Sequence, residues 1–314
     1  MSAPDRISGV LTPVVTPFGQ DLMPDAESLI AQCRWLLAQD VGLAVFGTNS
    51  EANSLSTDEK LDLIDKLVEA GIDASRMMPG TGTCAITDTV CLTDHAVKAG
   101  CGGVLMLPPF FYKGVSDDGL FAAFAEVIER IGDENLRIYL YHIPPMSQVP
   151  LSVGLIERLI RAYPETVVGV KDSGGDWSNT KSMLDQGWDD FRVFVGAESF
   201  LLANMQNGGA GCISATANVN PAAIKDLFEN WQSPDAAAKQ AALDAVRDRF
   251  MKVPMIPALK SAVAHFSGDP AWSVVRPPLM ALDDAQNATL FGALAEIDFI
   301  MEGLSQSDKQ TARG

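Results

Sequence analysis

The sequence predicts an α/β protein, a (β/α)₈ TIM barrel with a C-terminal helical extension. Short apolar runs recur at regular intervals, an amphipathic stretch follows each run, and the alternation continues for about 225 residues. Helical patterns alone follow it. A doubly wound open sheet with fewer strands is the alternative, and the number of strand–helix units favours the barrel.

Eight apolar runs are the predicted strands, and most are rich in aliphatic residues, as expected for strands buried on both faces of a parallel sheet. They cover residues 8–17, 42–49, 76–82, 102–109, 137–144, 166–172, 191–198 and 211–217. Among the stretches between them, 58–70 and 119–131 place apolar side chains on one face of a helix.

The alternation ends after Pro221, which sets the predicted domain boundaries. Residues 1–230 are expected to form the barrel that carries the active site, and residues 231–304 a C-terminal helical bundle packed on it. The polar residues 305–314 are expected to be a frayed tail.

Composition excludes several classes of partner. The 314 residues include 23 basic and 40 acidic side chains, a net charge of −17, which argues against nucleic acid or an anionic membrane. The five cysteines are scattered and odd in number, as in a reducing compartment, and no signal peptide or membrane span is predicted. We therefore expect a cytoplasmic protein.

The carboxyl ends of barrel strands carry the reactive groups of such folds. This rule selects Thr48 and Asn49 after the second run, Tyr141 in the fifth and Lys171 in the sixth. Lys171 is either an ordinary strand-end charge or an amine kept partly desolvated so that it can react. A desolvated amine of that kind attacks ketones to form a Schiff base, while Tyr141 could move protons and Thr48 could orient it.

The three histidines give no sign of a metal centre. His95 and His265 lie far apart in the sequence and form no ligand spacing, so we predict no metal. His142 follows Tyr141 directly and is expected to face the other side of the strand.

With "GTNSE" (47–51), "YHIP" (141–144) and "GVKD" (169–172) in this order, the sequence resembles the dihydrodipicolinate synthase/N-acetylneuraminate lyase family of class I pyruvate-type aldolases. "TPVVTPF" (12–18) and "GGAGCISATANVNP" (208–221) also fit it. The resemblance implies a barrel with a helical bundle, a homotetramer built as a dimer of dimers, and no cofactor beyond a covalent Schiff base.

The resemblance also assigns roles to individual residues. It implies that Lys171 is the Schiff-base lysine and Tyr141 the proton-transferring tyrosine. It further implies that Thr48 and Asn49 hold the carboxylate of a pyruvate-type substrate, and that Ile213 lines the floor of the pocket.

Several positions depart from the synthase pattern, among them Asn49 and Ser50 in place of a threonine and a glycine. Met146 stands where the synthases have an arginine that grips the carboxylate of the aldehyde substrate, and a thioether cannot do so. Tyr112, in "PPFFYKG", lies one place along from the tyrosine that synthases donate across a subunit interface. Glu198 lies where sugar-acid lyases of the family carry an acidic residue that contacts substrate hydroxyls.

These departures favour a lyase acting on a 2-keto-3-deoxy sugar acid, with pyruvate and an aldehyde as products. A 2-oxo acid dehydratase or deaminase with the same Schiff base, and dihydrodipicolinate synthase itself, are alternatives. A non-catalytic barrel that binds a 2-oxo acid is the alternative outside enzymes.

Overall fold

The computed structural model describes residues 6–304, and helices follow strands along it as predicted. The strands are β1 (Gly9–Thr12), β2 (Gly42–Leu43), β3 (Val104–Met106), β4 (Ile138–His142), β5 (Val167–Asp172), β6 (Arg192–Val195) and β7 (Gly211–Ile213). The α-helices are α1 (Ala26–Ala38), α2 (Thr57–Glu69), α3 (Ile86–Lys98), α4 (Asp117–Ile131), α5 (Pro144–Ser147), α6 (Val153–Ala162), α7 (Trp177–Leu184), α8 (Leu201–Gln206), α9 (Pro221–Glu229), α10 (Ala236–Phe250), α11 (Met255–Ser267) and α12 (Asp284–Ala295).

The described residues form two compact units, the first from residues 6–9 and 73–213 and the second from residues 10–72 and 214–304. The predicted boundary at residue 230 stays a prediction, and the predicted tail 305–314 lies outside the described residues.

The first unit contains a parallel sheet in the order β7-β6-β5-β4-β3. Every residue of β5 is buried, which explains its unbroken apolar pattern up to Lys171. The predicted strand 76–82 is reduced to a single parallel bridge between Gly80 and Leu105. Its first residue, Arg76, belongs to a 3₁₀-helical turn at Ala74–Arg76, which takes that residue out of the sheet.

Tyr139, a residue of β4, packs its ring across the neighbouring strands β5 and β6. The ring of Tyr139 packs edge-on against Phe194, with 5.9 Å between ring centroids, and its hydroxyl accepts a hydrogen bond from the Ile7 amide at 2.6 Å. A Cβ atom at Gly169 would lie 2.5 Å from the Tyr139 ring, so only glycine fits at this point of β5. Burial raises the pKa of Tyr139 to about 12, so the hydroxyl stays protonated.

The second unit contains the parallel pair β1–β2, in which Leu11 pairs with Gly42, together with α1, α2 and α9–α12. Helix α2 begins at Thr57, one residue before the predicted stretch 58–70, because Ser56 caps it: the Ser56 hydroxyl accepts from the Glu59 amide at 3.1 Å. The Glu59 carboxylate accepts in turn from the Ser56 amide at 2.8 Å.

Glu59 also forms an ion pair with Arg276. This ion pair predicts that the folded protein loses stability in acid. Two nitrogens of the Arg276 guanidinium bond both carboxylate oxygens, one at 2.9 Å, and this lowers the pKa of Glu59 to about 2 from a usual value of 4.5. Below pH 4.5 the unfolded chain binds the proton first, so the contribution of the pair to stability is lost as the pH falls towards 2.

We expect Glu59→Gln to lower the free energy of unfolding by about 1–2 kcal/mol at neutral pH, because the carboxylate is one-fifth exposed and partly screened. The difference from the parent protein should vanish near pH 2. Urea titrations across this pH range measure it, and a difference that stays constant with pH would contradict the assignment.

Candidate active site

Lys171 and Tyr141 meet at the carboxyl ends of β5 and β4. The Lys171 amine lies 3.2 Å from the Tyr141 hydroxyl and 4.3 Å from the centre of its ring. Both side chains are buried, Lys171 with 2% of its surface exposed. The structure thus excludes a solvent-exposed strand-end charge and places a primary amine beside a phenol in a largely dry environment.

The register of the sheet brings these two groups together. Tyr141 pairs with Lys171 directly across β4 and β5, so their side chains leave the same face of the sheet. Backbone bonds hold the strand ends on either side: the Ser173 amide donates to the His142 carbonyl, and the Gly196 amide to the Asp172 carbonyl, both at 2.7 Å. An amine and a phenol in hydrogen-bond contact can supply a nucleophile and a proton carrier.

Two further predicted residues lie at the carboxyl ends of neighbouring strands of the first unit. Glu198 begins a 3₁₀-helical turn shortly after β6 and is 1% exposed. Ile213 is the last residue of β7 and is fully buried. Because the strands are parallel, both residues lie at the edge of the sheet that carries Lys171. Their contacts with a substrate stay predictions.

Thr48 and Asn49 belong to the second unit, in a 3₁₀-helical turn at Thr48–Ser50 that follows β2. The turn is fixed from within, since the Ser50 hydroxyl accepts from the Gly47 amide at 3.2 Å and Thr16 donates to the Ser50 carbonyl at 2.7 Å. The predicted role of this turn in holding a carboxylate stays a prediction.

Met146 lies in the short helix α5 after β4, and Tyr112 lies on the loop after β3. Their exposed fractions are 66% and 72%, and the Tyr112 ring packs edge-on against Phe111 with 5.4 Å between centroids. The predicted contact of Met146 with a substrate stays a prediction. The predicted passage of Tyr112 across a subunit interface stays a prediction.

Lys113 connects the loop after β3 to helix α5, and the sequence reasoning did not single it out. Its amine donates to the Phe110 carbonyl in its own loop and, at 2.7 Å, to the Ser147 carbonyl in the short helix α5. The signal was a lysine directly after Tyr112 in an otherwise apolar aromatic run. Lys113 therefore fixes the loop that carries Tyr112 relative to the turn that carries Met146.

His142 faces away from Lys171, as predicted, and pairs across the sheet with Asp172. Asp172, which is buried, is another residue that the sequence reasoning did not single out. Within residues 6–304, no group of three or more histidine, cysteine, aspartate or glutamate side chains is arranged to hold a metal ion. No helix in that range is long and apolar enough to cross a membrane.

The family model that describes the dihydrodipicolinate synthetase family matches residues 6–297. An uncharacterized DapA-like lyase from Chloroflexus aurantiacus is 32% identical over 92% of this chain and 96% of its own length.

Two solved structures share the fold. Dihydrodipicolinate synthase from Agrobacterium tumefaciens is 34% identical, with a TM-score of 0.85 over 92% of this chain and 99% of that one. YagE, a prophage protein from E. coli K12 solved in complex with pyruvate, is 25% identical, with a TM-score of 0.86 over 93% and 99% of the two chains. These similarities confirm the predicted TIM-barrel fold class.

Proposed function

Because the chain belongs to the dihydrodipicolinate synthetase family and is a class I lyase, we propose that it cleaves a 2-keto-3-deoxy sugar acid to pyruvate and an aldehyde. The observation that carries this proposal is the buried Lys171 amine, 3.2 Å from the Tyr141 hydroxyl. A structure of a relative in complex with pyruvate supports the choice of a 2-oxo acid.

In the proposed mechanism the Lys171 amine attacks the 2-oxo carbon, and loss of water gives an iminium ion. Tyr141 gives its hydroxyl proton to the departing water and then, as a phenolate, takes the proton of the hydroxyl on carbon four. The bond between carbons three and four then breaks, which releases the aldehyde and leaves an enamine. Protonation of carbon three and hydrolysis of the iminium release pyruvate and restore the free amine.

The remaining predicted residues complete this proposal. Thr48 and Asn49 would hold the substrate carboxylate through the amides and hydroxyl of their turn, and Ile213 would line the floor. Glu198, buried at the edge that carries Lys171, would accept hydrogen bonds from substrate hydroxyls. No cofactor is needed, since the covalent imine itself draws electrons from the bond that breaks.

One experiment tests the Schiff base directly. The protein is incubated with pyruvate and borohydride, and intact mass followed by peptide mapping locates any reduced adduct. An adduct on Lys171 supports the enzyme, whereas its absence favours a barrel that only binds 2-oxo acids. Coupling to lactate dehydrogenase then separates an aldolase, which releases pyruvate, from a dehydratase or deaminase, which releases a longer 2-oxo acid.

Met146 tests the choice between a sugar acid and the synthase reaction. We expect the parent protein to condense pyruvate with aspartate semialdehyde poorly, because a thioether gives no charge-assisted bond to a carboxylate. Met146→Arg should raise that activity about tenfold or more, because the arginine can form a charge-assisted hydrogen bond with the carboxylate of aspartate semialdehyde. The measurement is the initial rate of condensation.

Met251→Arg provides the matched control, since Met251 is an exposed methionine at the end of α10. Efficient condensation by the parent protein would overturn the argument from Met146 and favour dihydrodipicolinate synthase.

We also propose a homotetramer in the cytoplasm. Phe111 and Tyr112 form an exposed aromatic patch of the kind that subunit interfaces bury, which supports a role for Tyr112 at such an interface. The five cysteines are all free, in keeping with a reducing compartment. Sedimentation equilibrium measures the oligomeric state.

A further inference from the structure

A second buried pair of side chains, His142 and Asp172, lies behind Lys171 and Tyr141. Tyr141 pairs with Lys171 across β4 and β5, and the next pair along the same strands is His142 with Asp172. Successive side chains of a strand point to opposite faces, so this second pair faces the helices. Both residues are buried, and the proposed mechanism uses neither.

The Asp172 carboxylate accepts three hydrogen bonds from two parts of the structure. Gly174, in the loop after β5, donates its amide at 2.8 Å. Asn179 and Thr180, both on α7, donate side-chain groups at 2.9 and 2.7 Å. Each of these donors is neutral, and together they offset the cost of burying a carboxylate. The residue directly after Lys171 is thereby anchored both to its own loop and to a helix.

His142, the residue directly after Tyr141, is also held by hydrogen bonds. Its Nδ1 accepts a hydrogen bond from the Leu151 amide at 3.1 Å, which puts the proton of the neutral ring on Nε2, 3.9 Å from the Asp172 carboxylate. Burial lowers the pKa of His142 against the opposing effect of Asp172, so the ring is neutral at neutral pH. The His142 carbonyl also accepts from the Ser173 amide at 2.7 Å.

The loop after β5 has little space to move against these groups. A Cβ atom on Gly174 would come within 3.0 Å of the Asp172 carboxylate and 3.6 Å of the His142 ring. A Cβ atom on Gly196 would lie 2.0 Å from the Ser173 hydroxyl. The backbone directly after Asp172 is therefore closely packed, and we expect a change in the hydrogen bonds of Asp172 to move the end of β5.

We propose that Asp172 and His142 are positioning residues. They directly follow Lys171 and Tyr141, and by fixing the ends of β5 and β4 they hold the Lys171 amine and the Tyr141 hydroxyl in contact. The inference rests on the proposed function in one respect, that the contact between amine and hydroxyl matters for reaction. A carboxylate that only fastened α7 to the sheet would change the stability of the fold and leave the 3.2 Å contact intact.

Substitutions at Asp172 and Thr180 test this proposal. Asp172→Asn turns one acceptor oxygen into a donor that faces other donors, and we expect the rate of pyruvate trapping by borohydride to fall about tenfold or more. Thr180→Val removes one of the three bonds and should slow trapping about threefold, whereas Thr180→Ser keeps the hydroxyl and should restore the parent rate. The KM for pyruvate should change less than about twofold, since neither residue is expected to touch the substrate.

Asp176→Asn is the matched control. Asp176 is an exposed aspartate of the same loop that caps α7, asparagine caps equally well, and we expect the parent rate. Crystal structures of Asp172→Asn and Thr180→Val provide a readout that does not depend on activity. We expect the separation of the Lys171 amine and the Tyr141 hydroxyl to exceed hydrogen-bond distance in Asp172→Asn.

An unchanged separation and trapping rate in both variants would overturn the proposal, as would equal slowing by valine and serine at position 180. If Asp172→Asn does not fold, the comparison of valine with serine decides. A parent protein that forms no adduct would refute the proposed function, and the separation measured in the variants would still decide the positioning role.

Discussion

Lys171→Met is expected to abolish the reduced pyruvate adduct and to lower the turnover of any 2-oxo acid substrate by at least about 10³-fold, as removal of a covalent nucleophile does. The Lys171 amine is the nucleophile of the proposed Schiff base. Methionine keeps most of the aliphatic length of lysine and suits a site that is 2% exposed, so the fold should be retained. The measurements are intact mass after borohydride treatment and steady-state turnover.

Lys181→Met is the control for this substitution, because Lys181 is a partly exposed lysine on α7 that forms an ion pair with Asp185, four residues on. It should leave both the adduct and the turnover unchanged. Tyr141→Phe should slow turnover about 10²-fold and still allow an adduct, since it removes the proton carrier and leaves the amine. An adduct of normal yield in Lys171→Met would show that another amine reacts.

The helices were more predictable from sequence than the strands. The predicted helix 119–131 is observed as Asp117–Ile131 because Ser116 caps its first turn, a signal that is local in sequence. The predicted strand 42–49 forms ladder pairs only at Gly42–Leu43, although every residue from 43 to 47 is buried. An apolar pattern in the sequence indicates that a segment is buried. It does not determine which backbone groups of that segment form hydrogen bonds with a neighbouring strand.

The contact between Lys171 and Tyr141 was predictable for a related reason. Lys171 and Tyr141 each lie near the carboxyl end of a predicted strand, and barrel strands present their carboxyl ends at one edge, so the two side chains were expected to lie close together. Asp172 was missed because its partners Asn179 and Thr180 lie on α7, where nothing in their own sequence pattern marks them. Glu51 lies within the motif that contains Thr48, and its ion-pair partner, Lys260, is 209 residues away in the sequence. We expect the loss of this ion pair to lower the stability of the fold substantially.

Glu51 and Lys260 form a fully buried ion pair in the second unit. The Lys260 amine lies 2.7 Å from the Glu51 carboxylate, neither side chain is exposed, and the carboxylate also accepts from the Arg276 amide at 3.0 Å. Desolvation outweighs the attraction of Glu51 and lowers the pKa of Lys260 to about 8, so the amine is charged at neutral pH and below. Glu51 itself has φ of +55° at the end of the Thr48–Ser50 turn, a conformation that needs support from its surroundings.

Lys260→Met is expected to lower the free energy of unfolding by about 3–5 kcal/mol, because it leaves the Glu51 carboxylate buried without its cation. Glu51→Gln in the same chain should recover part of this loss, since a neutral amide is cheaper to bury. Lys66→Met is the matched control: its pair with Asp62 has the same 2.7 Å length, but the two side chains are 48% and 57% exposed. The control should cost less than about 0.5 kcal/mol. Urea unfolding measures all three variants, and equal losses in Lys260→Met and Lys66→Met would show that burial adds nothing to this pair.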